Sequence, residues 1–257
     1  MKMPALFIGH GSPTNVVEDN DFTRHLKYLG LVLPKPKAVL VISAHWMTKG
    51  TFISSASTPE MIYDFFGFPD ELYQIIYKCP GAPKLAVEIS EKSNEVIKAD
   101  SSYGLDHGCW TLLKFIYPDA SIPVFELSVD MYITTQQHYE LGKKLAYLRD
   151  EGVLIIGSGN MVHNLRDINW EGRDSDIFPW AKKADEIITN LIMDKNHKAL
   201  FEPHALGEEI KHAVPTFDHY IPMINILGMQ HSKDVLKFTH DSIQYGSVSM
   251  RSFMISE

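Results

Sequence analysis

The sequence has little cysteine: two in 257 residues, Cys79 and Cys109. They form no CxxC pair and no disulfide framework, so a reducing cytosol is expected and each reads as a small buried hydrophobe. Clustered positive charge is also missing. The longest basic stretch, around Lys35 and Lys37, is broken by prolines, and the net charge is −8. An acidic chain gains little from a polyanion's field, which excludes nucleic acid as the expected partner. No apolar run approaches the length of a membrane span. The stretch 5–8 behind Met1-Lys2-Met3-Pro4 is too short for a signal-peptide core, and no small-residue cleavage site follows. A soluble, cytoplasmic protein is expected. No Ser/Gly-rich or charge-rich linker and no internal repeat interrupts the chain, so residues 1–257 read as a single domain.

Several catalytic signatures are absent too. Gly157-Ser158-Gly159 has no third glycine at the dinucleotide spacing, and no Gly-Lys-Ser/Thr follows it. No Gly-x-Ser-x-Gly elbow occurs. Nothing singles out two of the 32 acidic residues as a glycosidase pair.

What is present is a hydrophobic fraction of 45%, enough for a full core. Short, continuously apolar runs at 5–9, 38–44, 51–56, 124–128, 153–157 and 221–227 predict strands buried on both faces. Longer amphipathic stretches at 22–33, 82–99, 134–151 and 179–193 predict helices, with Ile133-Thr134-Thr135-Gln136 offering a Thr cap to the third. Residues 246–255 alternate partly and predict a last strand, at an edge or antiparallel. The alternation predicts an α/β sandwich: a central, largely parallel or mixed sheet flanked by helices. In such folds ligands gather outside the carboxyl ends of the strands.

Histidine is plentiful, with twelve in the chain, and position separates the informative ones. His10 ends the run 5–9, His45 ends 38–44, His163 follows 153–157, and His219 precedes 221–227. Neutral imidazole is the commonest protein ligand for zinc and iron. Each histidine alone has an ordinary reading, in a turn or a hydrogen-bonded core. Four at strand ends point instead to one metal site. His107 lies in the loop Asp106-His107-Gly108-Cys109-Trp110, where it can face a substrate or simply start a helix; Asp106 can cap that helix or orient a histidine. His25, His138, His197, His204, His212, His231 and His240 have no such context and are expected at the surface.

The motifs Gly9-His10-Gly11-Ser12-Pro13, Ser43-Ala44-His45-Trp46, Asp106-His107-Gly108-Cys109-Trp110, Gly157-Ser158-Gly159-Asn160-Met161-Val162-His163-Asn164 and Asp218-His219-Tyr220 resemble those of the class III extradiol ring-cleaving dioxygenases, DOPA dioxygenase branch. They run in the same order over nearly the whole chain. The resemblance implies one divalent metal, with Fe(II) for activity and Zn(II) as a plausible bound ion. It implies His10, His45 and His219 as metal ligands. His163 is the acid/base, beside the ion or on it, and His107 is a substrate contact. A catechol and dioxygen are the implied small-molecule partners. An all-histidine set departs from the usual two histidines and one carboxylate and also suits zinc; Asp218 is a candidate to complete it. Trp46, Phe217 and Tyr220 are candidate ring walls or core residues. A zinc hydrolase and a non-catalytic metal-binding relative are the competing readings.

Overall fold

The computed structural model describes residues 2–171 and 176–257. Met1 of the N-terminal motif lies outside them. Among the described residues ten strands form in chain order: β1 (Ala5–Gly9), β2 (Ala38–Thr48), β3 (Thr51–Ser54), β4 (Ile97–Asp100), β5 (Val124–Asp130), β6 (Val153–Gly159), β7 (Val235–His240), β8 (Ile243–Gln244), β9 (Val248–Ser249) and β10 (Ser252–Ser256). Seven α-helices accompany them: α1 (Asp21–Val32), α2 (Pro83–Lys92), α3 (His107–Ile116), α4 (Thr135–Leu145), α5 (Pro179–Met193), α6 (Glu208–Ala213) and α7 (Ile221–Gly228).

Eight strands make one mixed sheet in the order β4-β3-β5-β2-β6-β1-β10-β7. Its centre, β5-β2-β6-β1, is parallel, and β10 and β7 add antiparallel strands beyond β1. The central strands are apolar on both faces because both are covered. In β1, Ala5 and Phe7 face one core, while Leu6 and Ile8 face the other. The first core is closed by α2, α4, α5 and α7, and the second by α1 and α3. The sandwich read from the sequence is the one that forms.

Three local expectations are corrected and one is narrowed. Residues 221–227 form the helix α7, not a strand. Every residue of α7 is buried, so no face is polar and the run carries no helical period. Pro222 decides the matter, since it lacks the N–H an interior strand needs but suits a first helical turn. The predicted helix 82–99 stops at Lys92, because Asn94 and Glu95 adopt φ of 53° and 60°, and β4 follows. The strand at the C-terminal end is antiparallel as expected, but β7 pairs beyond it, so it is not the edge. His138 and His197 are buried rather than exposed; His138 Nε2 donates to the Asp130 carbonyl at 2.9 Å.

The carboxyl ends of β1, β2 and β6 lie side by side. His10 continues the β1 ladder by one bond, donating its N–H to the Gly159 carbonyl at 3.1 Å. Where β2 runs beside β5, five steps from Ile42 to Met47 match two from Leu127 to Val129. This bulge takes residues 43–46 out of register with β5, while Ser43 still pairs with Ser158 of β6, and it re-aims His45.

Candidate metal centre

His10, His45 and His219 each offer a ring nitrogen, and those atoms lie within 4.8 Å of one another. Three different features bring them together: the end of β1, the bulge in β2, and the turn leading into α7. That turn is held to β6, where the Asn160 N–H donates to the His219 carbonyl at 3.0 Å. So His219 reaches the strand ends from a helix laid across them.

The hydrogen bonds behind the rings decide what the rings present. The Ser158 hydroxyl donates its one hydrogen to the Gly108 carbonyl at 2.6 Å. It can therefore only accept from His10 Nδ1, 2.9 Å away, which leaves His10 Nε2 with a bare lone pair. His45 Nδ1 lies 3.2 Å from a carboxylate oxygen of Asp64, and His219 Nδ1 meets the carboxylate of Asp218. Both carboxylates draw the proton to Nδ1 and leave Nε2 bare. His45 Nε2 and His10 Nε2 stand 3.0 Å apart. Two lone pairs that close repel unless a cation lies between them. The donor set therefore fits a single divalent ion, with a neutral imidazole at each corner.

At two of the three rings the electrostatics favour the neutral form. Burial, reinforced by the neighbouring His45, pushes His10 well below the ordinary imidazole pKa. Burial lowers His219 as well, against the opposing pull of Asp218. At His45, burial is outweighed by Asp64, with help from Asp106, and the net shift is upward. Asp64 itself is disfavoured by burial, yet the two imidazoles on it hold its carboxyl far below the usual range.

His163 stands beside this trio rather than in its tight group. Its ring stacks on His219 at a centroid distance of 3.6 Å and an interplanar angle of 9°. Its N–H is anchored on the Ala213 carbonyl at 2.9 Å. Burial, then the nearby His219, keeps it well below its ordinary pKa and hence neutral. His107 opens α3, where Asp106 caps the helix by accepting from Cys109 N–H at 3.3 Å. The His107 and His45 ring centroids are 3.9 Å apart.

All five histidines line one cavity of about 200 Å³. A dry apolar cavity of ~150 Å³ already admits a benzene ring, so this one holds a single substituted ring. Its walls include Phe65, Phe68, Ile168 and Val248, with Phe66 and Trp170 88% and 55% exposed at the rim. Larger grooves exist, such as one of about 640 Å³ beside α1 lined by Tyr28 and Met254, but they lack the converging imidazoles. The wall residues proposed from sequence lie elsewhere. Trp46 stacks on Tyr103 at 4.0 Å, Tyr220 is buried with its hydroxyl on the Leu200 carbonyl, and Phe217 lines a separate pocket. Their core-packing reading holds: Trp46 and Tyr220 are buried, and Phe217 packs against the first core.

Sequence reasoning missed Asp64, Ser158 as a partner of His10, and the aromatic wall. The wall and Asp64 share one segment, Tyr63-Asp64-Phe65-Phe66-Gly67-Phe68-Pro69. Its density of aromatics around one acid was the available signal.

Comparison with known proteins places this arrangement. A family model described as the catalytic LigB subunit of aromatic ring-opening dioxygenase matches residues 5–253. A protein of Escherichia coli (strain K12) named 4,5-DOPA dioxygenase extradiol is 42% identical, over 99% of this chain and 95% of its own. A Beta vulgaris protein of the same name is 35% identical, over 96% and 94%. The crystal structure of an uncharacterized Escherichia coli K12 protein superposes with a TM-score of 0.86 at 37% identity, covering 99% of this chain and all of the other.

Proposed function

From the premise that this chain belongs to the LigB family of aromatic ring-opening dioxygenases, we propose that it cleaves a singly substituted, DOPA-like catechol next to its diol. Extradiol ring cleavage itself follows from the family and its relatives. The substrate, the metal and the residue roles are the proposal, as is the reading of residues 1–257 as one catalytic domain in a reducing, cytoplasmic compartment. The observation that carries it is the pair of bare Nε2 atoms of His10 and His45, 3.0 Å apart at the floor of a ring-sized cavity.

His10, His45 and His219 would hold one Fe(II). Bound there, iron supplies the one-electron chemistry that dioxygen requires and acidifies a coordinated catechol hydroxyl. The protein's own work is positioning and proton handling. The aromatic walls hold the flat ring on edge to the histidines and keep water from it. His163, neutral and stacked beside His219, accepts a proton from the catechol hydroxyl and returns it as the ring opens; an imidazole suits both directions. His107 faces the same cavity and contacts the substrate oxygen from α3. Both oxygen atoms of dioxygen end in the ring-opened semialdehyde. Asp218 stands behind His219 rather than replacing it, so the ligand set remains three imidazoles. Neither the hydrolase nor the binding-protein alternative has a finding in its favour.

The test is to purify the protein without oxygen, quantify iron and zinc, reconstitute with Fe(II), and add DOPA with and without dioxygen. A yellow ring-opened product that needs both Fe(II) and dioxygen is expected. Tight zinc with no oxygen-dependent turnover on any catechol would overturn the reading.

A further inference from the structure

We propose that Asp64 is a positioning residue that fixes the tautomers of His45 and His107 together, and so keeps His45 Nε2 free for the metal. The proposal rests on the donor set given above. Asp64 sits on the loop after β3, not on the sheet that supplies the histidines. One of its oxygens accepts the His107 backbone N–H at 2.9 Å, tying the loop to the first turn of α3. The other lies 3.2 Å from His45 Nδ1 and 3.0 Å from His107 Nδ1, ion-pair contacts of which the one to His107 is not aligned as a hydrogen bond. An ionised carboxylate only accepts hydrogen bonds. A single oxygen facing two ring nitrogens is favourable only if both nitrogens carry hydrogen. Both rings then present a bare Nε2, and for His45 that atom faces His10 Nε2.

The three corners of the site are thus set by three different partners: Ser158 for His10, Asp64 for His45 and Asp218 for His219. Of these, Asp64 alone serves a second imidazole. Its position makes one substitution unusually informative. Asp64→Asn keeps the side-chain shape, and its carbonyl oxygen can still take the His107 N–H. Its amide group, however, turns donors toward two ring nitrogens. Each ring then accepts at Nδ1 and carries its hydrogen on Nε2, which puts an N–H where a lone pair is required. Asp64→Ala removes the acceptor without supplying a donor, so His45 keeps access to the useful tautomer.

The full-length variants are compared by chelator competition for Zn(II), alongside melting of the metal-free proteins. Outer-shell partners of metal ligands typically matter by ~10–100-fold in affinity. Asp64→Asn is expected at the upper end of that range and Asp64→Ala at the lower, while melting temperature runs the other way because only Asn preserves the bond to α3. A purely structural role would put both properties in one order. Zinc affinity of Asp64→Asn equal to or above that of Asp64→Ala overturns the proposal. Nitrogen-resolved NMR of the histidine rings reads the tautomer directly: His45 protonated on Nδ1 in the native protein and on Nε2 in Asp64→Asn is expected, and no change between them overturns it. His45→Ala separates the two layers. If it binds Zn(II) like the native protein, the donor set itself is wrong; if it loses the ion while both Asp64 variants keep native affinity, only the role of Asp64 falls.

Discussion

Gly159 and the His219 carbonyl are in contact that no side chain can share: a Cβ built on Gly159 would lie 2.2 Å from that oxygen. Gly157, two residues earlier, meets the Pro222 carbonyl in the same way, at 2.6 Å. These two glycines let the head of α7 sit directly on β6 and so set how far His219 reaches toward His10 and His45.

Gly159→Ala should therefore act on the metal centre before it acts on turnover. The turn must shift by at least about 0.8 Å to bring the 2.2 Å contact to 3.0 Å, taking His219 with it. Zinc affinity is expected to fall by ~10-fold or more, a loss of the size caused by disturbing a ligand's support. Chelator competition measures it, and native affinity in this variant would show that the turn relaxes without moving the ring.

His163→Ala addresses the proton relay. The ring stacks beside His219 and is not one of the three donors grouped at His10, His45 and His219, so its removal should leave one ion per chain. Turnover should drop by ~100-fold or more, the usual contribution of a general acid/base. Metal analysis and oxygen uptake on one preparation check both halves. Normal turnover removes His163 from the mechanism.

Arg149 is a structural prediction away from the site. Its guanidinium is fully buried and pairs twice with Asp234, at 2.6 and 3.1 Å. It also donates to the carbonyls of Met3, Met229 and Ile255. Arg149→Met should destabilise the fold by ~3–5 kcal/mol, because it leaves the buried Asp234 carboxylate leaning on the more distant Lys2 ammonium, 3.7 Å away. Urea unfolding of the native and variant proteins gives the difference; a loss under about 1 kcal/mol, the size of an exposed pair, would contradict it.

His25 gives a pH dependence. Burial, with the stacked His240 as a smaller cause, lowers its pKa from 6.5 to about 4. Between those values the unfolded chain binds a proton that the folded one refuses. Its contribution is thus complete above pH 6.5 and is lost as pH falls toward 4. The side chain is partly exposed, so solvent screening reduces the effect to roughly 1 kcal/mol. His25→Gln should show a shallower fall in stability over that window, and a parallel curve would place the titration elsewhere.

Legibility in the sequence followed burial pattern. Strands β1, β2, β5 and β6 were readable because covering both faces demands unbroken apolar runs, and α5 because one face stays wet. Of β4 only Ile97 is buried, and residues 97–99 were read as the end of the helix 82–99; β7 has no fully buried residue and drew no strand prediction. α7 was misread because complete burial erased its period. His10, His45 and His163 were found through the strand-end rule. His219 was found by the same rule for an incorrect reason, since a helix carries it to the spot. Asp64 was invisible to that reasoning: it lies on an irregular loop, and only the folded chain brings it against residues 19 and 43 positions away.

The three donors lie at positions 10, 45 and 219, on β1, on β2 and ahead of α7. No fragment of the chain short of that span contains the site, and closing it requires contacts of very high sequence separation, which form slowly. The unfolded chain thus offers the ion no comparable set of ligands. Binding free energy goes almost wholly to the native state, and a bound ion acts as a clasp that closes only when β1 and α7 of the sandwich have both docked.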